Sequence, residues 1–269
     1  MQRIKIGQGQ PLAIIAGPCV IESEQSAIFH ADKLMSISKK TGVPLIFKAS
    51  YDKANRTSVE SFRGVGIDMG LKILDKIKTK IGCPVLSDVH TADEVRSAAQ
   101  VLDVLQIPAF LCRQTDLLVE AGKSGKTVNI KKGQFVAPED MIHAVKKVHS
   151  TGNKNILLTE RGSSFGYRTL VNDFRAIVLM RELGCPVVFD ATHSVQRPGG
   201  LGDKSGGDSR LAPYLARAAA AIGADAIFME VHRDPAKALS DGPNSLRLNT
   251  LPELFRKLKK VSEISCRVD

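Results

Sequence analysis

Short β-branched apolar runs and longer segments of helical periodicity take turns along this chain, eight of each, and few folds accept such a cadence. The runs at 12–17, 45–50, 85–89, 104–108, 127–132, 156–161, 187–192 and 226–231 read as strands. Helices are expected between them, over 24–40, 66–80, 92–101, 115–122, 139–149, 170–183, 210–222 and 251–264. Ser23 and Thr91 suit N-caps, and Pro138-Glu139-Asp140 puts a proline and two acids in a first turn. Gly42, Gly82, Gly152, Gly184 and Gly223 follow helices, where a left-handed residue ends them. Eight βα units in about 250 residues have the length of a TIM barrel. An open doubly wound sheet is the alternative, but eight strands with nothing left over favour closure. The fold class expected is therefore α/β, a single (β/α)8 barrel over 1–269, whose first ten residues add a short strand or hairpin closing the bottom.

Composition narrows the partners. Thirty-eight Lys plus Arg against 28 Asp plus Glu leave a formal charge of +10, which suits nucleic acid, an acidic surface or a phosphorylated small molecule. With no Trp and 5% aromatic residues, base stacking has little to work with. No apolar run nears the ~18–20 residues that span a bilayer. No signal-peptide apolar region follows Met1-Gln2-Arg3-Ile4-Lys5. The five cysteines lack CxxC spacing, so neither a disulfide framework nor a zinc knuckle is expected, and a reducing cytoplasm is the natural location.

A barrel carries its chemistry where strands end in the C-terminal direction. In order, those ends present Cys19; Lys48 and Ser50, then Lys53, Asn55 and Arg56 in the loop; Asp88; Gln106; Lys132; Arg161; Asp190 and His193; Glu230 and His232; and Asp241 in the last loop. Polar groups on buried strands must be paired or face a ligand. Lys48, Lys53, Arg56, Lys132 and Arg161 on one face repel unless anions lie among them, and two phosphorylated substrates account for their number. Cys19, His193, Glu230 and Asp241 offer a thiol, an imidazole and two carboxylates, a set suited to Zn, Fe, Mn or Co as a divalent ion. Taken alone, Cys19 is also a small buried hydrophobe and His193 also a general base. Gly122-Lys123-Ser124 and Gly125-Lys126-Thr127 mimic the end of a P-loop but lack its first glycine and precede a strand. The Gly-rich stretch 199–208 reads either as a mobile lid or as a plain connector.

Longer motifs run through the same places. Phe47-Lys48-Ala49-Ser50-Tyr51-Asp52-Lys53-Ala54-Asn55-Arg56-Thr57-Ser58, Ile107-Pro108-Ala109-Phe110-Leu111-Cys112-Arg113-Gln114-Thr115-Asp116, Asn129-Ile130-Lys131-Lys132-Gly133-Gln134-Phe135 and Phe189-Asp190-Ala191-Thr192-His193-Ser194-Val195-Gln196 closely resemble the 3-deoxy-D-manno-octulosonate 8-phosphate synthase family. The resemblance spans residues 14–246. It implies a cytoplasmic homotetrameric barrel that condenses phosphoenolpyruvate with D-arabinose 5-phosphate, releases phosphate and feeds the lipopolysaccharide inner core. Metal-dependent members carry Cys where others carry Asn, and here Ala16-Gly17-Pro18-Cys19 has Cys. The resemblance thus implies Cys19, His193, Glu230 and Asp241 as metal ligands. It implies Lys48, Lys132 and Arg161 on phosphoenolpyruvate with Ser50 and Gln106 close by, and Lys53, Asn55, Arg56 and Thr57 on the sugar phosphate. Arg113 is expected to reach a neighbouring subunit's site. Lys53, Asp88, His193 and Asp241 are expected to take part in the chemistry, Asp88 by ordering the sugar. A related heptulosonate synthase uses erythrose 4-phosphate, but it typically has K-P-R where this chain has Lys53-Ala54-Asn55-Arg56. A nucleic-acid-binding protein, the third reading, leaves the strand-end residues without a purpose.

Overall fold

The computed structural model describes residues 4–199 and 206–265. Eight parallel strands pair in sequence order: β1 (Ala13–Gly17), β2 (Leu45–Lys48), β3 (Val85–Asp88), β4 (Val104–Ile107), β5 (Thr127–Lys131), β6 (Ile156–Glu160), β7 (Val187–Asp190) and β8 (Ala226–His232). β8 also pairs with β1, Ala13 opposite Ala226 through Gly17 opposite Glu230, so the sheet closes on itself. The expected barrel is what forms. Beyond the ring, Leu246–Arg247 adds a short parallel strand to the end of β8.

The helices are α1 (Glu24–Thr41), α2 (Ile67–Ile81), α3 (Ala92–Val101), α4 (Thr115–Lys123), α5 (Met141–His149), α6 (Arg175–Arg181), α7 (Ala212–Ala221) and α8 (Leu251–Ile264). Ser23 and Thr91 cap α1 and α3 by accepting from the amides of Ser26 and Glu94. Two expectations are corrected. α5 starts at Met141, because residues 138–142 wind as tight turns with Met141 N donating to Pro138 O at 3.2 Å. α6 is shorter than expected because Thr169–Val171 pairs antiparallel with Ser163–Phe165 in a hairpin.

The outer faces of the strands and the inner faces of the helices form the main apolar core, including Phe47, Leu105, Ile130, Leu158, Phe189 and Met229. A second cluster fills the bottom of the barrel itself: Ala13, Ile15, Ile46, Leu86, Val104, Leu157, Val188, Ala226 and Phe228. The expected N-terminal strand or hairpin is absent from residues 4–10; Ile4 and Ile6 reach the bottom cluster from irregular backbone instead. Among the described residues, no helix is long and apolar enough to cross a membrane. Cys19, Cys83, Cys112 and Cys185 are buried and free, and Cys266 lies outside the described residues.

Candidate active site

Side chains along a strand alternate between its faces, so the barrel interior takes every second residue. Ile46, Leu86, Val104, Leu157 and Val188 belong to the apolar floor. Two positions further on, the same strands carry Lys48, Asp88, Gln106, Thr159 and Asp190, all buried. One step along each strand takes the interior from hydrocarbon to charge.

Buried polar groups hold their places only when partnered. Thr159 Oγ1 donates to Asn129 Oδ1 at 2.6 Å, Asn129 Nδ2 to Gln106 Oε1 at 2.9 Å, and Gln106 Nε2 to Asp88 Oδ1 at 2.6 Å. From the other side Ser50 Oγ and Lys53 Nζ donate to Asp88 Oδ2 at 2.6 and 3.2 Å. Burial pushes the Asp88 pKa up, but Lys53, Lys48 and Lys131 outweigh it and hold the carboxyl well below its ordinary range. Asp88 is an acceptor on every side.

The Lys131-Lys132 doublet divides by face. Lys131 points inward, its Nζ 2.6 Å from Asp190 Oδ2 and 3.9 Å from the centre of the Phe228 ring, and it lines the mouth cavity. Lys132 turns away. Its Nζ donates to Ser163 Oγ at 3.1 Å and Val136 O at 3.3 Å, and lies 3.5 Å from Glu160 Oε2. The lysine expected at this strand top is therefore placed by the structure as a latch between the β5 and β6 loops. Counting alternate residues from Asn129 would have picked Lys131.

Cys19, His193, Glu230 and Asp241 do come together. A parallel bridge between Val20 and Ser50 carries the chain beyond β1 and sets Cys19 over the barrel. Cys19 Sγ donates to Asp241 Oδ2 at 2.9 Å and to Ser240 Oγ at 3.1 Å. His193 Nε2 lies 3.6 Å from Asp241 Oδ2 and 3.9 Å from Glu230 Oε1, while its Nδ1 lies 2.7 Å from Asp190 Oδ2. Lys48 Nζ donates to Glu230 Oε1 at 2.7 Å and to Cys19 O at 2.8 Å. Burial raises the thiol's pKa, and Asp241 adds to it. Burial also works against the Asp190 and Asp241 carboxylates, yet His193 in both cases, with Lys131 and Lys53 respectively, holds them far below their ordinary range. Asp241 is the one non-glycine residue with positive φ (50°) among the described residues, a backbone that Asp tolerates better than most.

Among the described residues, no group of three or more His, Cys, Asp or Glu is already spaced to hold an ion. The four side chains fit a borderline divalent metal by donor chemistry. Glu230 Oε2 is also buried with no hydrogen-bond partner, a carboxylate oxygen still able to ligate.

A cavity of about 710 Å³ opens above this level, lined by Lys53, Asn55, Arg56, Thr57, Asp88, Lys131, Arg161, His193 and Asp241 among others. Cys19, Lys48, Ser50, Gln106 and Glu230 are buried and not among its lining residues. Arg56 Nη1 donates to Ser240 Oγ at 2.7 Å, and Arg161 Nη2 to Gln196 Oε1 at 3.0 Å. Arg113 is exposed and does not line this cavity. His90 does, with its Nδ1 3.0 Å from Glu94 Oε2. The sequence leaves Gln134, Gln196 and Ser240 without assigned roles, since single polar residues in loops carry no spacing signal, whereas His90 is expected behind the ligating residues and instead lines the cavity. The stretch read as a lid or connector falls largely on 200–205, outside the described residues; Gly206–Gly207 pairs antiparallel with Gln196–Arg197.

A model of the DAHP synthetase I family matches residues 1–266. The chain is 62% identical over 261 residues to the 2-dehydro-3-deoxyphosphooctonate aldolase of Geotalea uraniireducens (strain Rf4), covering 97% of this chain and 96% of that one. A protein of the same name from Geobacter sulfurreducens is 59% identical with the same coverage. Another from Desulfatibacillum aliphaticivorans is 61% identical, covering 95% of this chain and 93% of the relative.

Proposed function

The chain belongs to the DAHP synthetase I family, and on that premise we propose that it condenses phosphoenolpyruvate, D-arabinose 5-phosphate and water to 3-deoxy-D-manno-octulosonate 8-phosphate and inorganic phosphate. The observation that carries this reading is the placement of cations round one cavity. Lys53 and Arg56 follow β2, whereas Arg161 follows β6, the strand diametrically opposite in the ring, with Lys131 beside it on β5. Two anionic groups on two substrates match two cation pairs across a mouth.

Lys131 and Arg161 hold phosphoenolpyruvate above a floor of Lys48, Ser50 and Gln106. Lys53, Asn55, Arg56 and Thr57 hold the sugar phosphate, with Asp88 fixing Lys53. C3 of the enol attacks the aldehyde carbon, water adds at C2, and the resulting hemiketal loses phosphate by C–O cleavage. His193, with Nδ1 2.7 Å from Asp190 Oδ2, turns Nε2 toward Asp241 and Glu230 as the ring's ligating nitrogen, and the Asp241 carboxylate beside it is left to assist proton transfer. Holding both polyanions in reacting register supplies much of the acceleration. A divalent ion on Cys19, His193, Glu230 and Asp241 supplies Lewis acidity when bound. The enzyme works in the cytoplasm as a homotetramer, with Arg113 reaching a neighbour's site, and its product serves the lipopolysaccharide inner core.

The test is phosphate release from phosphoenolpyruvate with arabinose 5-phosphate or erythrose 4-phosphate, each with and without a strong chelator. Turnover is expected with arabinose 5-phosphate, lost on chelation and restored by a divalent metal. Preference for erythrose 4-phosphate overturns the acceptor, and chelator-resistant turnover overturns the metal.

A further inference from the structure

Arg161 and Asp241 line the same cavity, and a guanidinium and a carboxylate left beside each other form a direct, bidentate ion pair. Here they do not. Gln196 stands between them, its Oε1 accepting from Arg161 Nη2 at 3.0 Å and its Nε2 donating to Asp241 Oδ1 at 3.3 Å. An amide is the side-chain group that offers an acceptor to the cation and a donor to the anion while carrying no charge of its own. Glutamate would claim the arginine and repel Asp241; lysine would do the reverse.

The backbone at Gln196 is anchored. Its amide donates to His193 O at the end of a tight turn, and it pairs with Gly207 in a two-stranded ribbon. The amide is therefore a spacer of fixed reach. What it preserves is visible on the arginine: Arg161 Nη1 is buried and has no hydrogen-bond partner. A direct pair with Asp241 would use such donors up.

We propose that Gln196 is a positioning residue, a neutral spacer that keeps Arg161 and Asp241 from pairing and so leaves the guanidinium free for a substrate anion. This rests on the reading above, in which Arg161 holds phosphoenolpyruvate. The spacer acts through Arg161 and leaves the sugar-phosphate site alone.

The experiment measures binding of phosphoenolpyruvate, and separately of inorganic phosphate, by titration calorimetry on the wild type, Gln196→Met, Asp241→Asn and the double variant. Steady-state KM for both substrates is measured for the wild type and Gln196→Met, and circular dichroism checks that each protein is folded. Gln196→Met is expected to weaken phosphoenolpyruvate binding about tenfold while the sugar-phosphate KM moves less than about twofold. In the Asp241→Asn background, with no carboxylate to capture Arg161, the same change should cost less than about twofold. Gln196→Glu, the second variant should Met not fold, is expected to lose phosphoenolpyruvate affinity likewise, since its carboxylate takes the guanidinium. Unchanged affinity in Gln196→Met, or an equal loss with and without the Asp241 carboxylate, overturns the proposal. A wild type that binds phosphate but not phosphoenolpyruvate overturns the functional reading instead, and the phosphate affinities then judge Gln196 by the same comparison.

Discussion

Lys131 and Lys132 are chemically identical neighbours with opposite surroundings, one over the Phe228 ring in the cavity wall and one latched to Ser163 and Glu160. Lys131→Met should lower kcat/KM for phosphoenolpyruvate about a hundredfold, as loss of a charged contact to a substrate anion does. Lys132→Met should instead cost about 3 kcal/mol of stability, because the buried Glu160 keeps two backbone amide donors but loses its counter-ion. Steady-state kinetics and denaturant melts on the two variants check both, and a Lys132 variant with the greater loss in kcat/KM would reverse the assignment. His90 makes a pH prediction. Burial lowers its pKa, but the bond to Glu94 and the charge of Asp88 win and raise it above the ordinary 6.5. Its stabilising contribution is then complete below 6.5 and fades as pH rises through the raised value. The melting-temperature gap between wild type and His90→Gln should therefore be wider at about pH 5.5 than at about pH 9; an equal gap contradicts it. The residue types of the site were legible because strand tops are where a barrel exposes charge. Which lysine of the doublet faces inward is legible only once an inward residue such as Asn129 is known, because shifting the alternation by one residue exchanges the faces.

At the level of elements, α3 and α8 keep the bounds their periodicity predicts, and α1 and α3 start at their predicted caps. The misread segment, 170–171, shows the limit. Its apolar residues extend the helical periodicity of 172–183, but Gly166, at φ 69°, turns the chain so that Thr169–Val171 can pair backward with Ser163–Phe165. A hydrogen-bonded partner across a turn outweighs local periodicity. Gly17 offers a sharper test of how strands set the site. A Cβ there would sit 1.9 Å from Lys48 O, against backbone of β2 that carries Lys48 itself. Gly17→Ala should destabilise the protein by about 3 kcal/mol, and it should depress activity beyond that loss by shifting Lys48 away from Glu230. A variant that melts like wild type would show that β1 and β2 can separate without harm.

For the molecule as a whole, closure of β8 on β1 leaves the barrel without a free edge in the ring, and the sequence foretold this from its count of βα units. The irregular plug was not foretold in form, because Ile4 and Ile6 alternate as a strand would while no neighbouring edge is open to pair with them. Since the plug sits at the end away from the cavity, Ile6→Ala should cost about 1–2 kcal/mol in a denaturant melt with kcat and both KM values unchanged; a loss of turnover at constant fold would mean the two ends communicate. The apolar floor has a broader consequence. Charges at the mouth are backed by a slab of hydrocarbon with low permittivity, not by water, so the field of Arg56 and Arg161, whose guanidinium groups bond to the neutral Ser240 and Gln196 and not to carboxylates among the described residues, spreads mainly outward through the opening. Anions in solution feel one pole of the molecule, and their capture should slow as added salt shortens the distance over which that pole is felt.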